Sequence, residues 1–305
     1  MNPPRVGITM GDPTGIGPEI TRVALARLHG KADFTVYAPG GLYGAIRGLR
    51  VVPPDPADPV RDAIELAAQE LRDGTVDAVV TAPVSKRCFR GDFPGHTELF
   101  ADRLGAPDVA MMLAGPRLRV VPLTTHVPIR DVADLLSIPL VLRTTRLVAR
   151  ALRTGFGFAT PRIALTGLNP HAGDGGLFGD EEPRILAPAA AQLREEGLDV
   201  SGPLSPDTAY YQASQGRYDV VIAPYHDQAL VPFKLLHFSD GVNITLGLGR
   251  PRTSPDHGPA YDIVGTSQID PSSMIAAVET AIMLAAGSSD APGRRAPSSE
   301  RLDLS

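Results

Sequence analysis

Apolar residues recur along this chain in short runs rich in β-branched side chains: Arg5–Met10, Phe34–Ala38, Val76–Thr81, Leu118–Thr124, Arg162–Thr166 and Tyr218–Ala223. Near-continuous apolar runs of this length are the pattern of strands buried on both faces. Between several of them the spacing becomes helical. Pro18–Leu28 opens with a proline suited to a first helical position and places Ile20, Val23, Ala24 and Leu28 on one face. Pro59–Arg72 repeats that spacing with Ile64, Leu66, Ala67 and Leu71, and Leu140–Thr154 and Glu181–Gly197 read as two further helices. Strands alternating with helices predict an α/β fold with a largely parallel, buried sheet.

Met274–Ala286, the longest apolar stretch, contains Glu279 and is too short to span a bilayer, so it is read as a buried helix. Residues 287–305 are rich in Ser, Pro, Arg and Asp with almost no apolar content, and disorder is expected there.

Composition narrows the function. A chain of 305 residues with 43% hydrophobic content fits a globular protein of two domains or one large one. The net charge of −5 argues against a nucleic-acid or acidic-membrane partner, which needs a basic face. The lone cysteine, Cys88, excludes an intramolecular disulfide. With no signal-peptide pattern at Met1–Arg5, a cytoplasmic location is expected.

Three of the seven histidines share one context. The run Val120–Thr125 ends in His126, Ile163–Pro170 ends in His171, and Val220–Tyr225 ends in His226. Ligands in open α/β sheets bind beyond the carboxyl ends of strands, and three neutral imidazoles with open positions make a catalytic metal site. Taken singly, each histidine is equally a loop or cap residue, and no local spacing ties the three together.

Gly11–Glu19 links the first strand to the first helix without supplying G-x-G-x-x-G. Its glycines serve either a tight turn or a ligand. The loop His171–Gly176 poses the same choice. Lys86, Lys234 and Arg252 are candidate phosphate grips, and only one other lysine, Lys31, exists in the chain.

The blocks Gly11–Glu19, Thr81–Lys86, Gly95–Glu98, Thr124–Pro128, Gly167–Gly173, Tyr225–Gln228 and Gly241–Gly247, in this order, resemble the 4-hydroxythreonine-4-phosphate dehydrogenase family. Together they are highly specific. The resemblance implies two α/β/α domains around a central cleft, similar to isocitrate and isopropylmalate dehydrogenases. The boundaries expected are 1–120 plus 259–286 for the first domain and 121–258 for the second.

It further implies a homodimer with a shared active site. A divalent metal (Zn, Mg or Co) would be held by His126, His171 and His226, one ligand coming from the partner. His96, Thr97, Lys234, Asn243 and Arg252 match substrate-binding positions, and Lys234 and Asp207 are the candidates for proton transfer. The stretch His257–Gly265 is similar to the adenosine loop of isopropylmalate dehydrogenase, which makes His257, Gly258, Ala260 and Asp262 candidates for binding NAD or NADP.

The activity implied is metal-dependent oxidation of 4-phosphohydroxy-L-threonine to a 3-oxo acid. That acid decarboxylates to 3-amino-2-oxopropyl phosphate, a step of pyridoxal 5'-phosphate biosynthesis. D-Erythronate or D-threonate 4-phosphate is the alternative substrate. Two departures stand out. The segment before Val76 is shorter than usual, and Thr81–Lys86 carries Ala and Ser where some members carry Gly and His.

Overall fold

The computed structural model describes residues 2–43, 46, 48–89 and 91–287. The tail expected to be disordered therefore lies, from residue 288 on, outside the described residues, and Gly287 closes the last helix instead of opening the tail. β1 (Arg5–Thr9), α1 (Gly17–Arg27), β2 (Asp33–Tyr37), β3 (Arg50–Val52), α2 (Pro59–Asp73), β4 (Ala78–Thr81), α3 (His96–Leu104) and β5 (Ala110–Ala114) come first. β6 (Arg119–Thr124), α4 (Val132–Leu135), α5 (Ile138–Phe156), β7 (Arg162–Thr166), α6 (Ala187–Glu195), β8 (Asp199–Leu204), α7 (Pro206–Ser214), β9 (Val220–Tyr225) and α8 (His226–Leu236) follow. β10 (Val242–Leu246), β11 (Arg252–Pro255) and α9 (Ser272–Gly287) complete the order.

The strands form one sheet in the order β3-β2-β1-β4-β11-β10-β5-β6-β9-β7-β8. Both flanks are parallel, as the alternation of strands and helices predicts. The middle is not: β10 runs antiparallel to β11 and to β5, and β5 runs antiparallel to β6. β10 and β11, which the expected boundaries would put in the second domain, pair with β5 and β4. α9 packs on β11, β4, β10 and α1.

Successive residues of a strand point to opposite faces, and the core follows that rule. Ala78 and Val80 of β4, with Val220 and Ile222 of β9, join α1, α5, α6 and α9 in one continuous cluster. Val79 faces α2 and α3 on the other side, whereas Val221 and Ala223 face α7 and α8. Each half is thus an α/β/α sandwich. One helical layer is shared, and the other is split between α2/α3 and α7/α8.

Helix ends explain the differences from the expected spans. α5 begins two residues early because Ser137 accepts a hydrogen bond from Leu140 N (3.4 Å) and a proline follows in the first turn. The helix expected over Glu181–Gly197 opens with a π turn, Glu182–Leu186, before α6 begins. Such a turn shifts the direction of the side chains it carries.

α5 buries Val141, Val148 and Leu152 against the sheet. Leu152→Ala should cost about 2–5 kcal/mol, and the change at exposed Arg153 less than about 0.5 kcal/mol. Urea unfolding of the two variants checks this. Equal midpoints would mean that α5 does not seat Leu152 in the core.

Candidate active site

β6 and β9 are neighbours, and Thr124 Oγ1 donates to Pro224 O (2.8 Å) at their carboxyl ends. Two residues beyond Thr124 comes His126, and His226 opens α8. Their rings lie with centroids 5.8 Å apart, tilted by 42°. Asp227 Oδ1 is 2.6 Å from His226 Nδ1 and orients the ring. Burial lowers the His126 pKa, and the nearby charges of Lys86 and His226 add to that, opposed by Glu98. His126 is therefore a neutral imidazole at neutral pH. Lys86 follows β4 and Glu98 sits in α3, so elements of both flanks of the sheet meet around it.

His171 is placed differently. It lies in a left-handed turn, Pro170–Gly176, in which His171, Ala172 and Asp174 all have positive φ (54°, 54° and 43°). A non-glycine residue in this region costs roughly 1–2 kcal/mol, so the turn is held by its surroundings. Gln228 ties it to α8: Thr166 Oγ1 donates to Gln228 Oε1 (2.6 Å), and Gln228 Nε2 donates to Gly167 O (3.0 Å). The charged neighbour of His171 is Asp207, at the start of α7. Among the described residues, no group of three or more His, Cys, Asp or Glu side chains is close enough to hold a metal ion. A single chain brings His126 and His226 together and leaves His171 apart.

A second focus surrounds Arg252. This guanidinium is only 2% exposed, and burial pulls its pKa down to about 10, opposed by Glu98, so it stays charged at neutral pH. It donates to Thr245 Oγ1 (3.1 Å) and to Thr81 Oγ1, and lies over the Phe100 ring. Among the described residues its Nε has no hydrogen-bond partner, nor do His96 Nε2 and Asn243 Oδ1. Burial and the Arg252 charge push the His96 pKa well down. Thr97 Oγ1 lies 3.5 Å from Thr245 Oγ1. The expected substrate positions His96, Thr97 and Arg252 thus cluster together, with Asn243 on the adjoining β10. A buried cation with an unpaired donor is suited to an anion.

Lys234, on α8, is half-buried. Its ammonium pairs with Asp256 Oδ2 at 2.8 Å and also donates to the Asp256 carbonyl. Burial raises the Asp256 pKa, opposed by Lys234, His257 and His226. Asp207 is exposed. Hydrogen bonds from Ser205 Oγ (2.7 Å) and Thr208 N (2.8 Å) hold its pKa below the usual carboxylate value. A carboxylate so stabilised is a weak proton acceptor, whereas Asp256, raised and beside Lys234, is a better one.

The loop from His257 to Asp262 lies across the β1–α1 turn. Ile16 N donates to Pro259 O (2.9 Å), and a Cβ at Gly15 would come within 2.7 Å of Pro259, so only glycine permits this approach. This settles one open choice: the glycine serves close packing. Tyr261 OH donates to Asp12 Oδ2 (2.6 Å), which raises the tyrosine pKa. Ala260 has φ 48°, His257 Nδ1 faces Gly258 O at 2.9 Å, and Gly258 and Asp262 are exposed.

Four polar residues of these surroundings carried no weight in the sequence: Glu98, Asp256, Gln228 and Glu182. Asp256 had one available signal, its place directly before His257 at a strand end. Gln228 stands within the Tyr225–Gln228 block but has no chemistry that singles it out.

The family model described as pyridoxal phosphate biosynthetic protein PdxA matches residues 51–281. The chain is 43% identical to a 4-hydroxythreonine-4-phosphate dehydrogenase of Geobacter metallireducens, over 92% of this chain and 96% of that protein. It is 41% identical to one of Desulforapulum autotrophicum, over 93% and 96%. Among solved structures, the 4-hydroxythreonine-4-phosphate dehydrogenase of Klebsiella pneumoniae superposes with a TM-score of 0.79 at 37% identity, covering 93% of this chain and 98% of that one. A terephthalate 1,2-cis-dihydrodiol dehydrogenase of Burkholderia xenovorans reaches a TM-score of 0.67 at 30% identity, covering 92% and 98%.

The His96 environment has a consequence for stability. Below the ordinary histidine pKa of 6.5 the unfolded chain binds a proton at His96 that the folded chain refuses. The unfolded state then holds more protons, so this group lowers stability as pH falls, by up to ~1.4 kcal/mol per pH unit. Between about pH 7 and about pH 5, urea midpoints of the wild type should fall more steeply than those of His96→Gln. Parallel falls would show that His96 is not kept neutral.

Proposed function

The chain belongs to the PdxA family of pyridoxal phosphate biosynthetic proteins, dehydrogenases by the names of its relatives, and from that premise we propose that it oxidises 4-phosphohydroxy-L-threonine with NAD or NADP. The observation that carries the substrate class is the buried Arg252 guanidinium with an unpartnered Nε, beside His96 Nε2, Thr97 and Asn243. A phosphate would supply an acceptor for the Arg252 Nε–H and for a proton on His96 Nε2, and Arg252 would hold it in a geometry that a lysine does not reproduce.

His126, His171 and His226 are the residues that would hold a divalent cation (Zn, Mg or Co). His126 and His226 suit that role as adjacent imidazoles, His126 kept neutral by its surroundings. The separation of His171 from them in one chain supports a homodimer in which a second copy completes the set. Exposed apolar side chains stand beside each of these elements: Leu177 and Phe178 after the His171 turn, Tyr211 on α7, and Val231, Leu235 and Phe238 on and after α8. The His257–Asp262 loop, latched over the β1–α1 turn, is the proposed cofactor platform.

Bound here, the cation would supply Lewis acidity toward a hydroxyl oxygen and the nicotinamide a hydride acceptor. The chain's own residues bind and orient. Arg252, His96 and Thr97 fix the phosphate end, and Asn243 offers a side-chain carbonyl to a substrate amine or hydroxyl. The hydroxyl proton passes to the Lys234–Asp256 pair: while Lys234, the expected base, is held as an ammonium, the acceptor is the Asp256 carboxylate, whose pKa burial raises. The 3-oxo acid so formed loses carbon dioxide, because its new carbonyl accepts the electron pair left behind.

The experiment is NADH formation with 4-phosphohydroxy-L-threonine, before and after metal chelation and re-addition. Metal-dependent NADH formation is expected. Turnover only with D-erythronate 4-phosphate, or only with an aromatic cis-dihydrodiol, would move the substrate, and none with any of them would overturn the dehydrogenase reading for this chain.

Two variants sharpen it. His171→Ala should lower metal-dependent turnover by about 100-fold or more, with full activity at normal metal content refuting the ligand role. Arg252→Lys should raise KM for the phosphorylated substrate roughly 10- to 100-fold, and an unchanged KM would remove the phosphate from this pocket.

A further inference from the structure

The turn that presents His171 winds left-handed through Pro170–Gly176. The backbone bonds that enter and leave it include Ala172 N to Asn169 O (3.1 Å), Phe178 N to Gly173 O (3.2 Å) and Leu177 N to Asp174 O (3.4 Å). Against these stands a run of left-handed residues that includes three non-glycines. The compensating contact comes from the π turn before α6. Glu182, 2% exposed, accepts from Asn169 N (2.8 Å) through Oε1 and from Asn169 Nδ2 (2.9 Å) through Oε2. Asn169 Nδ2 also donates to Glu181 Oε2 (2.7 Å).

Glycines clear the space for this contact. A Cβ at Gly167 would lie 2.7 Å from Ala172 Cα and 3.0 Å from Glu182 Oε1, and one at Gly173 would lie 2.8 Å from Glu182 Oε2. The Glu182 carboxylate therefore touches the turn on both sides of His171, at Asn169 and at Gly173. A buried carboxylate held by amides is not an economical way to stabilise a core, since an apolar residue of similar volume usually does as well or better. Its directional acceptors, by contrast, fix an orientation.

We infer that Glu182 is a positioning residue for the reaction: through Asn169 it locks the left-handed turn so that His171 is held in its working direction. The π turn is part of the device, because it opens at Glu182 and directs that side chain inward. This inference rests on the reading that His171 belongs to the active site.

The test compares wild type with Glu182→Ala and Glu182→Gln by two readouts. Hydrogen exchange of the Ala172, Leu177 and Phe178 amides, measured on metal-free protein, should speed up about tenfold or more in Glu182→Ala. Turnover should fall about 10- to 100-fold through kcat, with KM for the nicotinamide cofactor unchanged. Glu182→Gln keeps an acceptor for Asn169 N and should recover much of both losses. An unloosened turn in Glu182→Ala overturns the inference, and so does a loosened turn with wild-type kcat.

Should Glu182→Ala fail to fold, Asn169→Asp takes its place. It keeps the size but sets a third carboxylate against Glu181 and Glu182, and the same outcomes apply. Failure of the underlying reading looks different: His171→Ala would then keep full turnover, whatever the exchange at the turn.

Discussion

A strand covered on both faces has no position for a charge until it ends. In this protein that constraint decides where chemistry sits. β1, β4, β6, β7 and β9 are buried almost throughout. Their last residues include Thr9, Thr81, Thr124 and Thr166, hydroxyls that can turn back onto backbone or onto a neighbouring side chain. Thr124 bonds to the end of β9, and Thr166 to Ile222 O and Gln228. Only beyond these hydroxyls do Lys86, His126 and His171 appear, while His226 directly follows Tyr225 at the end of β9. On these strands the polar groups gather at the ends; only β10 and β11 carry Asn243, Thr245 and Arg252 inside the sheet, where the Thr81 and Thr245 hydroxyls meet the Arg252 charge.

Buried Arg252 and half-buried Lys234 are offset in different ways, and the difference bears on the roles proposed for them. Lys234 shares its charge with Asp256 at 2.8 Å, so the pair is close to neutral from a distance. Arg252 is met by the hydroxyls of Thr81 and Thr245, with Glu98 acting on it from further off. At an effective dielectric constant near 20, a unit charge 4 Å away is worth about 4 kcal/mol. A phosphate therefore gains far more beside Arg252 than beside Lys234. Lys234, already paired, is better suited to exchanging a proton than to gripping an anion.

The sequence made the outer sheet legible and left its centre obscure. β1, β2, β4, β6, β7 and β9 were visible because each is a short apolar run rich in β-branched residues, bounded by polar or turn residues. β8 contains Gly202 and Pro203, and β11 reads Arg-Thr-Ser-Pro, so neither shows a strand pattern although β11 is fully buried. β10 and β11 are polar because they carry Asn243, Thr245 and Arg252. The same residues that hid the strands are those proposed for the substrate. The histidines at strand ends were legible as a group, but their distances were not, since topology alone sets which strands are neighbours. β6 adjoins β9, which brings His126 to His226. β7 also adjoins β9, but its loop winds through a left-handed turn that carries His171 toward α7. Glu182 was invisible for a related reason: a helical spacing predicts which face is buried, whereas a π turn changes that face over a single turn.

α8 carries the argument for a second copy furthest. Ala229 and Phe233 face the core, one helical turn apart. Val231 and Leu235 point the other way and are 67% and 85% exposed, with Phe238 at 80% just beyond the helix end. A helix apolar on opposite faces is the pattern of one covered on both, yet the described residues of one chain cover only one face. Scattered exposed apolar residues need no explanation, but these follow directly from His226, and the other exposed aromatics nearby follow from His171 and Asp207. A surface that is both apolar and lined with the ligands missing from one another's reach is consistent with closure by its own kind, since a two-fold pairing would set the same elements against themselves. On this reading the incompleteness of the histidine set and the uncovered face of α8 are one feature, and the device that fixes His171 from behind is what allows a ligand to be offered across that boundary.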